Sequence, residues 1–179
     1  LMRDGLIGNL VKVDINGNQH TPYRWAFKPE EFASLRESDV DWKAFLMGKP
    51  YRPFDPRIYR SFRLFKEFSG AIIDQWMSHN IDMLHFLTDE PHPPTAVATG
   101  GIYESNDFRE NPDTIQVTFE YGRNRPKFLV SYGCCLSNGA GFGTELLGTK
   151  GTLEVEARFR VSQDGIGRQR ATSPEIGVY

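Results

Sequence analysis

Gln75, His79 and Asp82 stand at i, i+4 and i+7 within residues 69–87 and offer an amide, an imidazole and a carboxylate. If the stretch is helical, a rotation of about 100° per residue projects all three from one side. An imidazole takes or gives a proton near neutrality, and a neighbouring carboxylate orients it or raises its basicity. The trio therefore suits proton transfer. The same spacing equally fits a solvated polar face, so spacing alone defines no site.

The helix that would carry these groups is legible from its other side. Ile73, Trp76, Met77, Ile81, Leu84 and Leu87 recur at helical spacing and are expected to face a core, in a helix over about 70–88. Before it, residues 10–15 alternate like a half-buried strand, closed by a turn signal at Asn16-Gly17-Asn18. Residues 20–62 form an irregular aromatic- and Arg-rich segment with a short helical piece near 41–47, and long segments of this kind tend to be functional loops. Arg57, Tyr59, Arg60 and Arg63 precede the helix. Each guanidinium either meets a substrate or cofactor group or clamps the loop through surface acids, and Arg63 lies nearest the helix start.

After Pro91-His92-Pro93-Pro94 the pattern changes to strands, giving a sheet over about 94–163. Candidates are residues 95–103, 114–121, 127–136, 145–147 with 152–157, and 159–163, with turns at 111–113, 122–124 and 149–151. Short links between consecutive strands predict an α+β fold: an open, largely antiparallel β-sheet with helices packed on one face. Its other face is expected to be flat, apolar and used for self-association.

The run Gly70-Ala-Ile-Ile-Asp-Gln-Trp-Met-Ser-His-Asn-Ile-Asp82 resembles the substrate-domain helix of the Gfo/Idh/MocA oxidoreductases, the glucose-fructose oxidoreductase and inositol dehydrogenase family. His79 and Asp82 match the family's His-x-x-Asp. Gln75 takes the place of the acid four residues before the histidine, because Asp74 is rotated from that stripe by about 100°. An amide there holds a hydroxyl but cannot act as a base. Gly5-Leu6-Ile7-Gly8 resembles the turn that opens the family's second domain, residues 41–56 resemble its aromatic-rich excursion, and residues 147–155 resemble its late hairpin.

The resemblance implies that residues 1–179 are one substrate-binding and oligomerisation domain of a two-domain enzyme whose N-terminal Rossmann domain is absent from this chain. The complete protein would be an NAD(P)-dependent oxidoreductase acting on a secondary alcohol of a sugar, polyol or similar ring. In it His79 is the catalytic acid or base, while Gln75, Asp82, Arg63 and Trp76 bind substrate. NAD or NADP would be held mainly by the absent domain, the chain alone would be inactive, and the protein would form homo-oligomers through the open sheet face. Two alternatives stand beside this: a non-catalytic binding or assembly module on the same fold, and a glycoside-cleaving or lyase member that oxidises transiently with NAD.

The remaining features narrow the field. A formal net charge of -2 at pH 7 gives no basic footprint for nucleic acid, although Arg52, Arg57, Arg60 and Arg63 cluster locally. No apolar run reaches the roughly 18 residues of a membrane helix. Cys134 and Cys135 are adjacent in a strand candidate, point to opposite faces and form neither a disulfide framework nor a zinc site. Along a helix His79, Asp82 and His85 drift by about 60° per step, so no metal is expected. The glycine run at 138–144 has Thr144 and Leu146 where a dinucleotide fingerprint needs glycine, and it reads as a flexible hairpin connection. The expected compartment is the cytoplasm, with export left open because a leader would lie upstream of Leu1.

Overall fold

Alternation in the first strand decides where the core forms. In β1 (Leu10–Asn18) Val13, Ile15 and Gly17 are buried, while Lys12, Asp14 and Asn16 face the other way. In a computed structural model of the chain, the described residues are 5–20, 25, 28–155 and 159–163, the last five by backbone alone. The expected continuation of a strand to Ala157 and the polar, Gly-rich segment after Gln163 lie outside them.

The other strands are β2 (Thr95–Gly101), β3 (Thr114–Tyr121), β4 (Phe128–Cys135), β5 (Gly141–Gly148), β6 (Gly151–Val155) and β7 (Phe159–Gln163). They form one seven-stranded sheet in the order β2-β3-β4-β1-β5-β6-β7. All neighbours are antiparallel except β1 and β4, so the α+β, largely antiparallel expectation holds. β1 sits mid-sheet: Val13 pairs with Val130 on one side and Leu146 on the other.

Two turn expectations are corrected by this central strand. Asn16-Gly17-Asn18 does not turn but completes β1, because Asn18 pairs with Gly141, its Oδ1 accepts from the Cys135 amide, and Cys134 Sγ donates to Gly17 O at 2.7 Å. Gly141 to Thr144 is likewise not a loose connection but the first half of β5, laid along the end of β1. The expected turn at 5–8 does form. Gly8 N donates to Gly5 O, and Lys150 N donates to Ile7 O, which ties the turn to the β5–β6 hairpin.

One sheet face packs under the helix. Val13, Ile15, Val117, Val130, Tyr132, Leu146 and Leu153 meet Ile72, Met77 and Leu84 in one core. The opposite face is mostly polar rather than apolar: Lys12 pairs with Asp14, Lys127 with Glu120, and Gln116 donates to Ser131, leaving Val97 and Leu129 as exposed apolar side chains.

The helix is not uniform. A π-helical turn, Ile73–Met77, precedes the regular α3 (Ser78–Thr88). An α-helix would place Ile73 beneath Met77, whereas the i→i+5 turn places Ile72 there. Ile72 is accordingly buried, and Ile73, expected in the core, is 40% exposed. Ala71 at a φ of 59° starts the turn, and Asp74 closes it from outside by accepting from Ser69 Oγ and Gly70 N.

A second, smaller core orders the aromatic segment. Two short helices, α1 (Trp42–Phe45) and α2 (Pro56–Arg60), are capped by Asp41 and Asp55 and enclose Trp42, Leu46 and Ile58 among Phe45, Phe54, Tyr59 and Phe68. The arginines clamp this unit: Arg52 to Glu67, Arg57 to Asp55 and Arg60 to Glu31.

Glu90, 1% exposed, holds the far end of α3 to the sheet by accepting the amides of Arg123 and Asn124, each at 2.9 Å. Asp89 provides the left-handed cap just before it. Replacing Glu90 with alanine strands two amides, so urea denaturation should show a loss of about 1–3 kcal/mol at unchanged m-value.

Candidate active-site face

The π-turn divides the expected stripe. His79 and Asp82 remain together, exposed on one face of α3. Gln75 lies within the turn, half-buried, where its Oε1 accepts from Arg63 Nε at 3.2 Å. Arg63, placed nearest the helix by sequence, thus meets a second expected site residue directly. Its guanidinium also lies over the Phe62 ring at 4.4 Å. Asp74 is committed to the helix start, which leaves Gln75 as the polar group of the turn nearest His79.

Trp76 is split between core and site. Its ring is half-buried and meets Trp25 at 5.8 Å and Phe142 at 5.7 Å, both edge to face. Trp25 is 3% exposed, whereas Phe142 is 60% exposed, so the three rings lead from the core to the surface. Phe142 escapes a reading of the sequence as long as Gly141 to Thr144 is taken for a loop.

The platform under Arg63 and Gln75 comes from the loop between β2 and β3. Asn111 Nδ2 donates to Arg63 O and to Ser69 O, and Leu64 O accepts the amides of Glu110 and Asn111. Arg109, paired with Asp107, donates from Nη2 to Trp25 O at 2.8 Å. The loop is anchored in turn by Asp113, whose carboxylate accepts the amides of Tyr103, Glu104 and Ser105. Burial opposes ionisation of Asp113, but the amides of Ser105, Tyr103 and Glu104 outweigh it and hold the carboxyl at about 2. Sequence reading marks 111–113 only as a turn.

His85 turns away from the face of His79 and bonds Tyr121 OH through Nε2 at 3.0 Å. Among the described residues no three His, Cys, Asp or Glu side chains gather as a metal-ligand set. No described strand enters a helix through a glycine-rich turn, so these residues form no dinucleotide cradle.

Fold and exposed helix face define a class: an open-sheet α+β domain whose long helix carries His79 and Asp82 exposed on one side. Residues 47–154 match the family model described as the GFO/IDH/MocA C-terminal domain, and the chain belongs to that oxidoreductase family. Curated protein sequences give no significant match. Solved structures give the fold. A protein from Thermotoga maritima described as an oxidoreductase aligns with a TM-score of 0.63 at 16% identity, over 99% of this chain and 43% of its own. Levoglucosan dehydrogenase in complex with NADH and levoglucosan aligns at 0.63 and 12% identity, over 99% and 42%. The super-repressor mutant of Gal80p from Saccharomyces cerevisiae aligns at 0.58 and 13%, over 92% and 39%. The chain therefore spans about two-fifths of the length of these proteins. Among the described residues no helix is long and apolar enough to cross a membrane.

Proposed function

We propose that the chain is the substrate-binding half of a nicotinamide-dependent dehydrogenase that oxidises a secondary alcohol of a sugar, polyol or similar ring. The observation that carries this reading is the exposed His79–Asp82 face placed directly after the turn in which Arg63 fixes Gln75. The nicotinamide of NAD or NADP, when bound, takes the hydride, and its binding falls mainly to a domain outside this chain. His79 takes the hydroxyl proton, and Asp82 orients the imidazole and shares in holding the substrate. With its oxygen engaged by Arg63, Gln75 keeps its NH2 to donate to a substrate hydroxyl. Trp76 backs the site.

The complete protein is further proposed to be cytoplasmic and to associate with copies of itself through the outer sheet face around Val97 and Leu129. Two observations favour a second reading: Gln75 stands where the family carries an acid, and the Gal80p super-repressor mutant shares the fold. A non-catalytic binding module meets both facts.

An NADH fluorescence titration separates the readings. The 179-residue chain is expected not to bind NADH tightly, and the protein expressed from its complete reading frame is expected to do so. Tight binding by the chain alone would overturn the domain assignment. Binding by neither would favour the non-catalytic module.

A further inference from the structure

We infer that two copies of this chain join edge to edge: β2 pairs antiparallel with its own counterpart across a twofold axis at Ala98, so that two seven-stranded sheets run on as one. The contact lies at the edge of the sheet, apart from the outer-face association around Val97 and Leu129, and it does not depend on the dehydrogenase reading.

An edge strand exposes unpaired N–H and C=O groups, and proteins blunt such edges with charge, proline, a bulge or a cover. β2 ends the strand order and pairs with β3 alone. Its ladder, from Thr95 opposite Glu120 to Gly101 opposite Thr114, runs without a register shift. Neither proline nor a charged residue stands within it, and residues 91–103 carry no formal charge in a chain that is 25% charged. Residues 95–100 are exposed on both faces of the sheet, so the helix layer does not reach them. The usual means of blunting an edge are therefore missing among the described residues.

The unpaired groups can be placed. Gly101 O accepts from the Asp113 amide on the β3 side. Alternation along an antiparallel ladder then turns Thr99, Val97 and Thr95 toward β3 as well, which leaves Ala96, Ala98 and Gly100 with N–H and C=O directed along the open edge. About Ala98 this edge matches itself. Ala98 meets its own copy, Ala96 meets Gly100, and Val97 meets Thr99 on the outer side, so no bulky pair obstructs the approach.

Self-complementarity favours a second copy over another occupant, because each contact is then made twice. His92 and Glu104 are both exposed and stand at equal distances along the chain on either side of Ala98. Antiparallel pairing brings the imidazole of one copy to the end of the ladder where the other carries its carboxylate, and no like charges meet between them. Val97, Ile102 and Tyr103, exposed apolar side chains of the same stretch, gain cover.

One ladder makes a small interface, so the association is expected to be weak and concentration-dependent. Sedimentation of the complete protein, followed up to about 100 μM, should show it. The mass of the assembly should fall by about half in Ala98→Pro, which removes an N–H that only the partner strand uses, and in Ala98→Lys, which sets two ammonium groups against each other at the axis. Neither touches the ladder with β3. Should the proline perturb the fold by circular dichroism, the lysine variant reads alone. Ala98→Cys should be joined into a covalent dimer by a short bis-maleimide, well beyond the wild type, whose Cys134 is buried and Cys135 half-buried. Leu129→Glu, on the outer face of β4, should leave that cross-link in place, so the edge and the face are read separately. A protein monomeric throughout, a mass that neither folded variant changes, or no more covalent dimer from Ala98→Cys than from the wild type would overturn the inference. An Ala98→Cys thiol that resists maleimide altogether would overturn it too, because another part of the complete protein would then cover β2.

Discussion

His79→Ala in the complete protein is expected to lower kcat for NAD-dependent alcohol oxidation by about 10²–10⁴-fold, the usual contribution of a positioned general acid or base. The fall should lie in kcat rather than KM, because the lost group moves a proton in the transition state, while the hydroxyl contacts fall to Gln75 and Asp82. Folding should be spared: His79 is exposed on α3, and among the described residues its side chain makes no hydrogen bond that truncation would break. Added imidazole should return part of the rate to His79→Ala and none to the wild type. Steady-state kinetics with and without imidazole, beside circular dichroism and an NADH titration, check each part. Unchanged turnover in the variant would remove His79 from the mechanism. A loss of NADH affinity with no loss of kcat would make it a binding residue instead. Gln75→Glu forms a useful companion: it places a carboxylate against Arg63 Nε, turns the hydrogen bond into an ion pair, and tests whether the family acid improves on the amide.

What the sequence reveals of this site follows from which interactions are local. Helical periodicity identifies Met77 and Leu84 as core and His79 and Asp82 as exposed, because each depends on the rotation of one regular element. The π-turn is not readable in this way. Ile72 and Ile73 are identical neighbours, so either satisfies an apolar position beneath Met77, and the choice is made by the left-handed Ala71 and the capping carboxylate of Asp74. The central place of β1 is equally hidden: its parallel pairing with β4 joins segments far apart in the chain, and no local residue records it. The polar outer face, by contrast, is written in the alternation of Lys12, Asp14 and Asn16 in β1 and of Gln116, Thr118 and Glu120 in β3, and periodicity two is the signal that identifies it. Phe142 depends on recognising a glycine-rich run as a strand, which only the unbroken pairing of Gly141 to Thr144 with β1 establishes.

Asp113→Ala should cost about 3–5 kcal/mol of stability. The side chain is 0% exposed, and it accepts three successive backbone amides as well as the Thr114 hydroxyl. Removing it takes the acceptor from three part-buried amides in a loop that has no regular structure to receive them. The consequence extends to the site, because the same loop supplies the Asn111 bonds to Arg63 and Ser69 and the Arg109 bond to Trp25. A milder substitution isolates the charge. Asp113→Asn keeps one acceptor oxygen but turns an NH2 toward the amides, and it cannot ionise. The native carboxyl titrates at about 2 against an ordinary value of 3.8. A folded-state pKa below the unfolded one stabilises the fold at pH above the unfolded value, and that contribution disappears as pH falls through the folded value. Ionisation of Asp113 is therefore worth about 2 kcal/mol near neutrality, lost between roughly pH 4 and pH 2. Urea unfolding of the wild type and Asp113→Asn at a series of pH values should show a gap that is constant above pH 5 and narrows across that acid window. A gap that stays constant down to pH 2 would mean that the three amides bind the protonated acid as well as they bind the carboxylate, and the anchoring of the loop would then owe nothing to charge.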